Sequence, residues 1–321
     1  MSVTFSGGGV TISGGGWTLE APPPAVSKKA IFGYGTSSGS NDVSMTNLVS
    51  NTGVVATDTT GVGTTRQLLA AAGYGTDKAI FGYGVDNTSA NMFSMTNLVS
   101  STGVVATDTT GVGTARTALA SAGYGTDKAI FGYGRTNPSI TLLSITNLVS
   151  NTGVVGNDVT GVGTARFNIA AAGYGTDKAI FGYGIASGVQ YSLTNLVSNT
   201  GVVATDTTGV GTARNGLAAA GYGTDKAIFG YGYDASSNPV SMTNLVSNTG
   251  VVATDTTGVG TARRLLAAAG YGTDTAIFGY GIDVNFTRVS MTNLVSNTGV
   301  VATDTTGVGT ARNNLAAASY G

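Results

Sequence analysis

Short apolar runs, separated by Gly, Thr and Asn, recur along this chain in a fixed order. The run LLAAAGYG (68–75) is small and apolar, which suits a strand at a crowded axis where only Ala and Gly fit. Thr76 and Asp77 predict a short turn, with the Asp side chain able to cap backbone amides. KAIFGYG (78–84) then predicts a strand whose bulky Ile80, Phe81 and Tyr83 fill the space between neighbouring sheets. In SMTNLVS (94–100), Met95, Asn97 and Val99 alternate with Thr96 and Leu98, the two-residue period of a strand. Ser-Thr-Gly at 101–103 reads as a hairpin turn, 104–109 as an outer strand, and 110–115 leads to Arg116 and the next small-apolar run.

This unit occurs six times. The AIFGYG cores begin at Ala30, Ala79, Ala129, Ala179, Ala227 and Ala276, 48 to 50 residues apart. Repeats of this length belong to solenoids, propellers or arrays. Thr and Gly content denies the 3.6-residue apolar period of a helical repeat, and a β-helix would have shorter rungs. Four short antiparallel strands per repeat match the four-stranded sheets of a propeller. The chain enters at a second-type strand (28–35) and ends with an extra first-type strand (315–321). Six copies of each result if the last strand joins the sheet of Ala30, which also removes exposed edges. The expectation is an all-β, six-bladed propeller over residues 29–321, preceded by a Gly/Pro-rich arm at 1–28.

Composition narrows the function. Charged residues are 10% and hydrophobic residues 41%; the 51 glycines recur at fixed repeat positions, as tight turns require. Net charge is −1, with only Lys28–Lys29 and Arg263–Arg264 adjacent, so a phosphate-tracking basic face for nucleic acid is not expected. Cys and His are absent, which removes disulfides, thiolates and the commonest general base. The first residues have neither the basic nor the apolar region of a secretory signal, and no 18-residue apolar run predicts a membrane span.

Inside the arm, VTFSGGGVTISGGGWTLE reads as short alternating strands between Gly triplets, and Pro22–Pro24 as a stiff polyproline II spacer. Val3, Phe5, Val10, Ile12, Trp17 and Leu19 are too apolar for a solvated tail. Such segments add to another protein's sheet edge, so Phe5, Ile12, Trp17 and Leu19 are the expected docking residues, with Trp17 as anchor.

Two windows differ in every repeat. One is the loop between second and third strands: 36–43, 85–93, 135–143, 185–191, 233–240 and 282–289. The other is the pair after each repeated Arg: Gln67-Leu68, Thr117-Ala118, Phe167-Asn168, Asn215-Gly216, Arg264-Leu265 and Asn313-Asn314. In an up-and-down sheet both windows emerge at one end, so one face varies while the other is constant. Loops on a rigid scaffold carry binding function. The candidate ligand-binding residues are Asp42, Gln67, Asp86, Phe93, Arg135, Phe167, Asn168, Tyr191, Tyr233, Arg264, Asp283, Phe286, Arg288 and Asn313, a mixed aromatic and polar set suited to a glycan or protein.

Other chemistry finds little support. One Asp per repeat (Asp58, Asp108, Asp158, Asp206, Asp255, Asp304) falls short of the several carboxylates of a calcium site and reads as a turn cap. The repeated Arg (Arg66, Arg116, Arg166, Arg214, Arg263, Arg312) reads as a partner for the carbonyls or Asp of an adjacent turn. Gly-Tyr-Gly is not a phosphate loop, because no helix follows it. No nucleophile–base pair, metal site or cofactor site is expected, and no enzyme activity.

The order Arg, small-apolar strand, Gly-turn-Lys, apolar strand ending Gly-x-Gly, then Thr-Asn before a turn resembles a kelch-type repeat over most of the chain. It departs from that pattern where the double Gly is split as Gly82-Tyr83-Gly84 and where the Trp before the outer strand is missing. FSGGGVTISGGGWTL is similar to the Gly-rich starts of tailed-bacteriophage structural proteins. That resemblance implies a virion component, its arm bound to other virion proteins and its varied face to a host-surface glycan or protein; a homo-oligomer in the particle is a further expectation. The alternatives are a purely architectural decoration or collar subunit, and an engineered or recently amplified repeat scaffold.

Overall fold

Lys78–Gly82 is flanked on both sides by antiparallel partners, Ala70–Tyr74 and Thr96–Val99, and this three-strand arrangement recurs in every repeat. The computed structural model describes the backbone of residues 2–6, 9–13 and 17–19, and residues 27–87, 91–137 and 140–321. Pro22–Pro24 and the side chains of Phe5, Ile12, Trp17 and Leu19 lie outside the described residues. The chain is all-β, made of many small antiparallel sheets, with one short 3-10 turn at Ser38–Ser40 among the described residues. No helix among them is long and apolar enough to cross a membrane.

The arm strands Ser2–Ser6, Gly9–Ser13 and Trp17–Leu19 pair in sequence order into their own sheet. Ala316–Tyr320 pairs with Lys29–Gly33, so the first sheet combines the last strand with the first two strands of the repeat region. This is the pairing expected from the order of strands in the sequence.

The middle strands are buried on both faces: Ala79, Ile80, Phe81 and Tyr83 are all fully inaccessible. Hydrophobic clusters lie between consecutive sheets. One joins Ile31 and Tyr34 of the first sheet, with Ala316 and Ala318, to Leu69, Phe81 and Val99 of the second. Another joins Ala267 and Tyr280 of the sixth to Phe32 and Leu315 of the first. Burial on both faces also corrects the alternation expected of the third strand. Thr96, Asn97 and Val99 are all buried and Leu98 is partly so, because a neighbouring sheet covers each face.

The expected fourth strand is broken. Its segment meets the third strand at two bridges, Val99↔Val105 and Thr96↔Thr109. Those registers differ by one residue, so a bulge separates them. The Asn97 side chain fills the gap: Nδ2 donates to the Ala106 carbonyl (3.0 Å) and to Asp108 Oδ1 (2.8 Å). Every repeat has the same Asn in this role.

The inner strands approach so closely that a Cβ on Gly123 would stand 3.3 Å from the Gly73 carbonyl oxygen, and one on Gly173 3.2 Å from that of Gly123. Ser319 takes this position in the last strand, and its Oγ donates to the Gly270 carbonyl at 2.7 Å.

Two series of backbone hydrogen bonds pass from sheet to sheet and return to their start. At one end of the inner strands, Leu68 N–H donates to Asn314 O, Ala118 to Leu68, Asn168 to Ala118, Gly216 to Asn168, Leu265 to Gly216 and Asn314 to Leu265. At the other end, Gly75 donates to Asp127, Gly125 to Asp177, Gly175 to Asp225, Gly223 to Asp274, Gly272 to Lys28 and Gly321 to Asp77. Both circuits cross the junction between the last and first sheets.

Candidate functional site

The two non-repeating windows are paired with each other. The residue after each Arg forms a bridge with the first residue of a loop window in the same sheet: Thr36↔Asn313, Gln67↔Val85, Thr117↔Arg135 and Phe167↔Ile185. In the fifth and sixth sheets the bridge extends to two-residue ladders, Asn215↔Tyr233 and Arg264↔Ile282. The residue after that takes positive φ (Leu68 53°, Asn168 50°, Asn314 56°), which turns its N–H towards the preceding repeat and builds the first circuit. Both windows therefore sit at one end of the inner strands.

The candidate residues fall into two sets. Gln67 and Asn313 are buried, and Asn168 is partly buried among neighbours; their side chains serve contacts inside the molecule. Gln67 Oε1 accepts from Thr36 Oγ1 (2.8 Å) and from Asn314 Nδ2 (2.6 Å). Asn313 Oδ1 accepts from Arg288 Nε at 2.8 Å. Arg135 lies 4.5 Å from the Phe167 ring centre, and Arg264 lies between Tyr233 (3.9 Å) and Phe286 (5.4 Å), geometries that favour cation–π attraction. Burial lowers the pKa of both guanidinium groups.

Asp42 accepts from the Asn87 N–H (2.6 Å) and lies 3.1 Å from the Thr36 hydroxyl oxygen; burial raises its pKa above the ordinary carboxylate value, against these polar neighbours. Asp283 caps its own loop, accepting from Asn285 and Thr287 N–H, and Asp86 accepts from Asn91 N–H. Phe93 and Tyr191 are half-buried, whereas Phe286 is 72% exposed at its loop tip. Ile140, Val189 and Val284 are also exposed there. These aliphatic tips were not singled out from the sequence, although an apolar residue inside an otherwise polar loop window was the signal available.

The constant end is different. A cavity of about 280 Å³ opens between the inner strands, its wall including Lys28, Lys78, Lys178, Lys226 and Asp274. Lys78, Lys178 and Lys226 are held by the preceding Asp at 2.8, 3.0 and 2.8 Å. The chain arrives from the arm at this end, where Lys28 and Gly272 exchange two backbone hydrogen bonds.

No family model and no curated protein matches this chain.

The repeated polar residues form joints between sheets. Arg116 is fully buried: Nε donates to Tyr133 O (3.0 Å), one terminal nitrogen to Thr114 O (3.2 Å) and the other to Asn147 Oδ1 (2.8 Å). Its guanidinium also lies 4.3 Å from the ring centre of Tyr83 in the preceding repeat. The repeated Asp caps a turn, as expected, but a turn arriving from the neighbouring repeat. Asp108 accepts from Thr64 N–H and from Thr64 Oγ1, the latter at 2.7 Å. Asp58 does the same for Thr310, joining the two ends of the repeat region. Among the described residues, no three or more Asp, Glu, His or Cys side chains are grouped to hold a metal.

Proposed function

We propose that the repeats form a closed six-bladed propeller that acts as a non-enzymatic binding scaffold, docked through its arm and recognising a host-surface glycan or protein with its varied face. The observation that carries this reading is the position of the two features at opposite ends of the same strands. Lys28 pairs beside Gly272, just past the end of Ala267–Tyr271, whereas Arg264 and Ile282 pair near its start. A body held through the arm then turns its varied face outward. Closure is supported by the pairing of Ala316–Tyr320 with Lys29–Gly33 and by the two returning circuits. The similarity of the arm to the starts of tailed-phage structural proteins supports a virion setting, and the repeat order supports a kelch-like ancestry.

The engaged residues narrow the recognition surface to the exposed parts of the loops, with Phe286, Ile140, Val189 and Val284 as its apolar part. The test is binding of the purified protein to a glycan array and to candidate host cells, beside a Val284→Ala/Phe286→Ala variant with an unchanged melting temperature. Binding by the wild type and its loss in the variant are expected. Equal binding by both would move the site elsewhere. An absence of binding by either would favour the architectural collar reading, which gains support from the number of varied side chains spent on contacts within the chain.

A further inference from the structure

An Asp-Lys pair stands before four of the six middle strands: Asp77-Lys78, Asp127-Lys128, Asp177-Lys178 and Asp225-Lys226. The pattern breaks where the sixth sheet meets the first. The sixth repeat reads Asp274-Thr275 and the first Lys28-Lys29, so one turn lacks its lysine and the other has a lysine in place of its aspartate. The Thr275 hydroxyl is taken up by its own hairpin, donating to Tyr271 O at 2.8 Å. Two hydrogen bonds with Gly272 fix the Lys28 backbone, yet its ammonium has no hydrogen-bond or ion-pair partner among the described residues.

These turns border the cavity of about 280 Å³, and they divide their charges unequally. Lys28, Lys78, Lys178 and Lys226 lie on its wall, with Asp274 the one carboxylate there among the described residues. The other Asp side chains are directed elsewhere. Asp225, off the wall, holds Lys226 with one oxygen (2.8 Å) and accepts from Asn248 Nδ2 with the other (3.1 Å). Each lysine stem folds over a glycine of its own turn: a Cβ on Gly75, Gly175 or Gly223 would stand within 4.0 Å of Cδ of Lys78, Lys178 or Lys226. The Asp hydrogen bond holds Lys78 and Lys226 above the usual lysine pKa, so both stay charged at neutral pH. It occupies one of three N–H groups on each ammonium, leaving two to donate. Such exposed pairs are weak enough to be shared with a ligand.

Four lysines against one aspartate give the wall a formal charge of +3, in a chain whose net charge is −1. A concave surface of one sign concentrates ions of the other. The volume falls below the roughly 300–1,000 Å³ of pockets for drug-sized molecules, which restricts the occupant to a small ion or group. No Arg stands on the wall among the described residues, so the planar fork that matches a carboxylate is missing. Ammonium groups act on phosphate as point charges and can converge on it from separate turns.

We propose that this cavity binds a tetrahedral oxyanion, a phosphate or sulfate group, held by the Lys28 ammonium together with Lys78, Lys178 and Lys226. The site is at the constant end, away from the varied loops, and does not depend on what they recognise. Because Lys28 is also where the arm meets the sixth sheet, a bound anion ties that junction to the second, fourth and fifth turns.

The test is calorimetric titration of the full chain with sodium sulfate and with sodium phosphate at neutral pH, the ionic strength held constant with sodium chloride. Saturable binding of one anion per chain is expected. Lys28→Ala should weaken it about tenfold, the effect of losing a hydrogen bond to a charged group. Lys29→Ala, an equal change of net charge one residue off the wall, should leave it unchanged. Asp274→Asn, which takes the negative charge off the wall, should tighten it. An unchanged melting temperature in each variant shows the fold intact. Glucose 6-phosphate separates the two sources of the group: binding tighter than free phosphate marks a group carried on a sugar, and weaker binding a free ion, and either supports the site. The Val284→Ala/Phe286→Ala variant should bind the anion as the wild type does, which keeps this result separate from that of the varied face. No saturable binding of either anion, or equal weakening by Lys28→Ala and Lys29→Ala, would overturn the proposal.

Discussion

Tyr83 holds a left-handed backbone conformation (φ 64°), uncommon for a residue with a bulky side chain, and it does so in every repeat. The cost, about 1 kcal/mol or more, is offset by what the side chain reaches. Its ring packs against Phe131 and under Arg116, and its hydroxyl donates to Val112 O (3.2 Å). Burial pushes the equivalent Tyr34, Tyr133, Tyr183, Tyr231 and Tyr280 hydroxyls up to about 12, against the nearby Arg charge. A raised folded pKa means stability present below the unfolded value of about 10 and lost as pH rises through the folded one. An ultraviolet titration should therefore show a tyrosine group ionising near pH 12, together with unfolding. Arg116→Ala removes the donors of Tyr133 O and Asn147 Oδ1; urea denaturation should register a loss of about 3 kcal/mol. The bulk of Tyr83 and the structural role of the Arg were legible in the sequence. The positive φ was not, since Tyr carries no mark of it.

Strand existence and order were readable because each run has its own vocabulary: AAAGY where the inner strands crowd together, KAIFG in the middle, TNLV beyond. The outer segment was misread as a full strand because Val and Thr at 104–109 fit one. What breaks the ladder is the Asn97 side chain, which bonds the Ala106 carbonyl and lets the register slip by one. The same residue holds Asp108 and Arg66 (2.6 Å), so one side chain links three segments. Asn97→Leu, of similar size, takes the bonding partner from the buried Ala106 carbonyl and from one Arg66 nitrogen, and a melting experiment should show a loss of about 2–3 kcal/mol. Packing between sheets sets a second limit. A methyl group on Gly82 would meet Phe131 Cζ at 2.8 Å, so Gly82→Ala should cost about 1–3 kcal/mol by overpacking, read in the same denaturation assay.

Across the whole molecule the repeated carboxylates act together. Burial pushes Asp58, Asp108, Asp158, Asp206, Asp255 and Asp304 up, but bonds from Thr and Asn and the Arg charge outweigh it, so each sits below the ordinary carboxylate value. A depressed folded pKa stabilises above the unfolded value of about 3.9 and is lost as pH falls through the folded one. Melting temperature should hold from neutral pH to about 5 and drop steeply below about 4, with a shallower drop in Asp108→Asn. The placement of both varied windows at one end followed from strand direction alone. The division of their residues into loop tips and contacts between repeats did not, because it depends on which side chains of different repeats reach one another.

The two hydrogen-bond circuits have a consequence for lifetime. An open stack of repeats loses its end units first, because each end has only one neighbour. Here every sheet, including the one that joins the two ends of the repeat region, has a neighbour on both sides. Opening the molecule then requires breaking both circuits at one junction before any repeat comes free, which places a barrier in front of unfolding. Its resistance to proteases should be governed by a slow rate of opening more than by equilibrium stability.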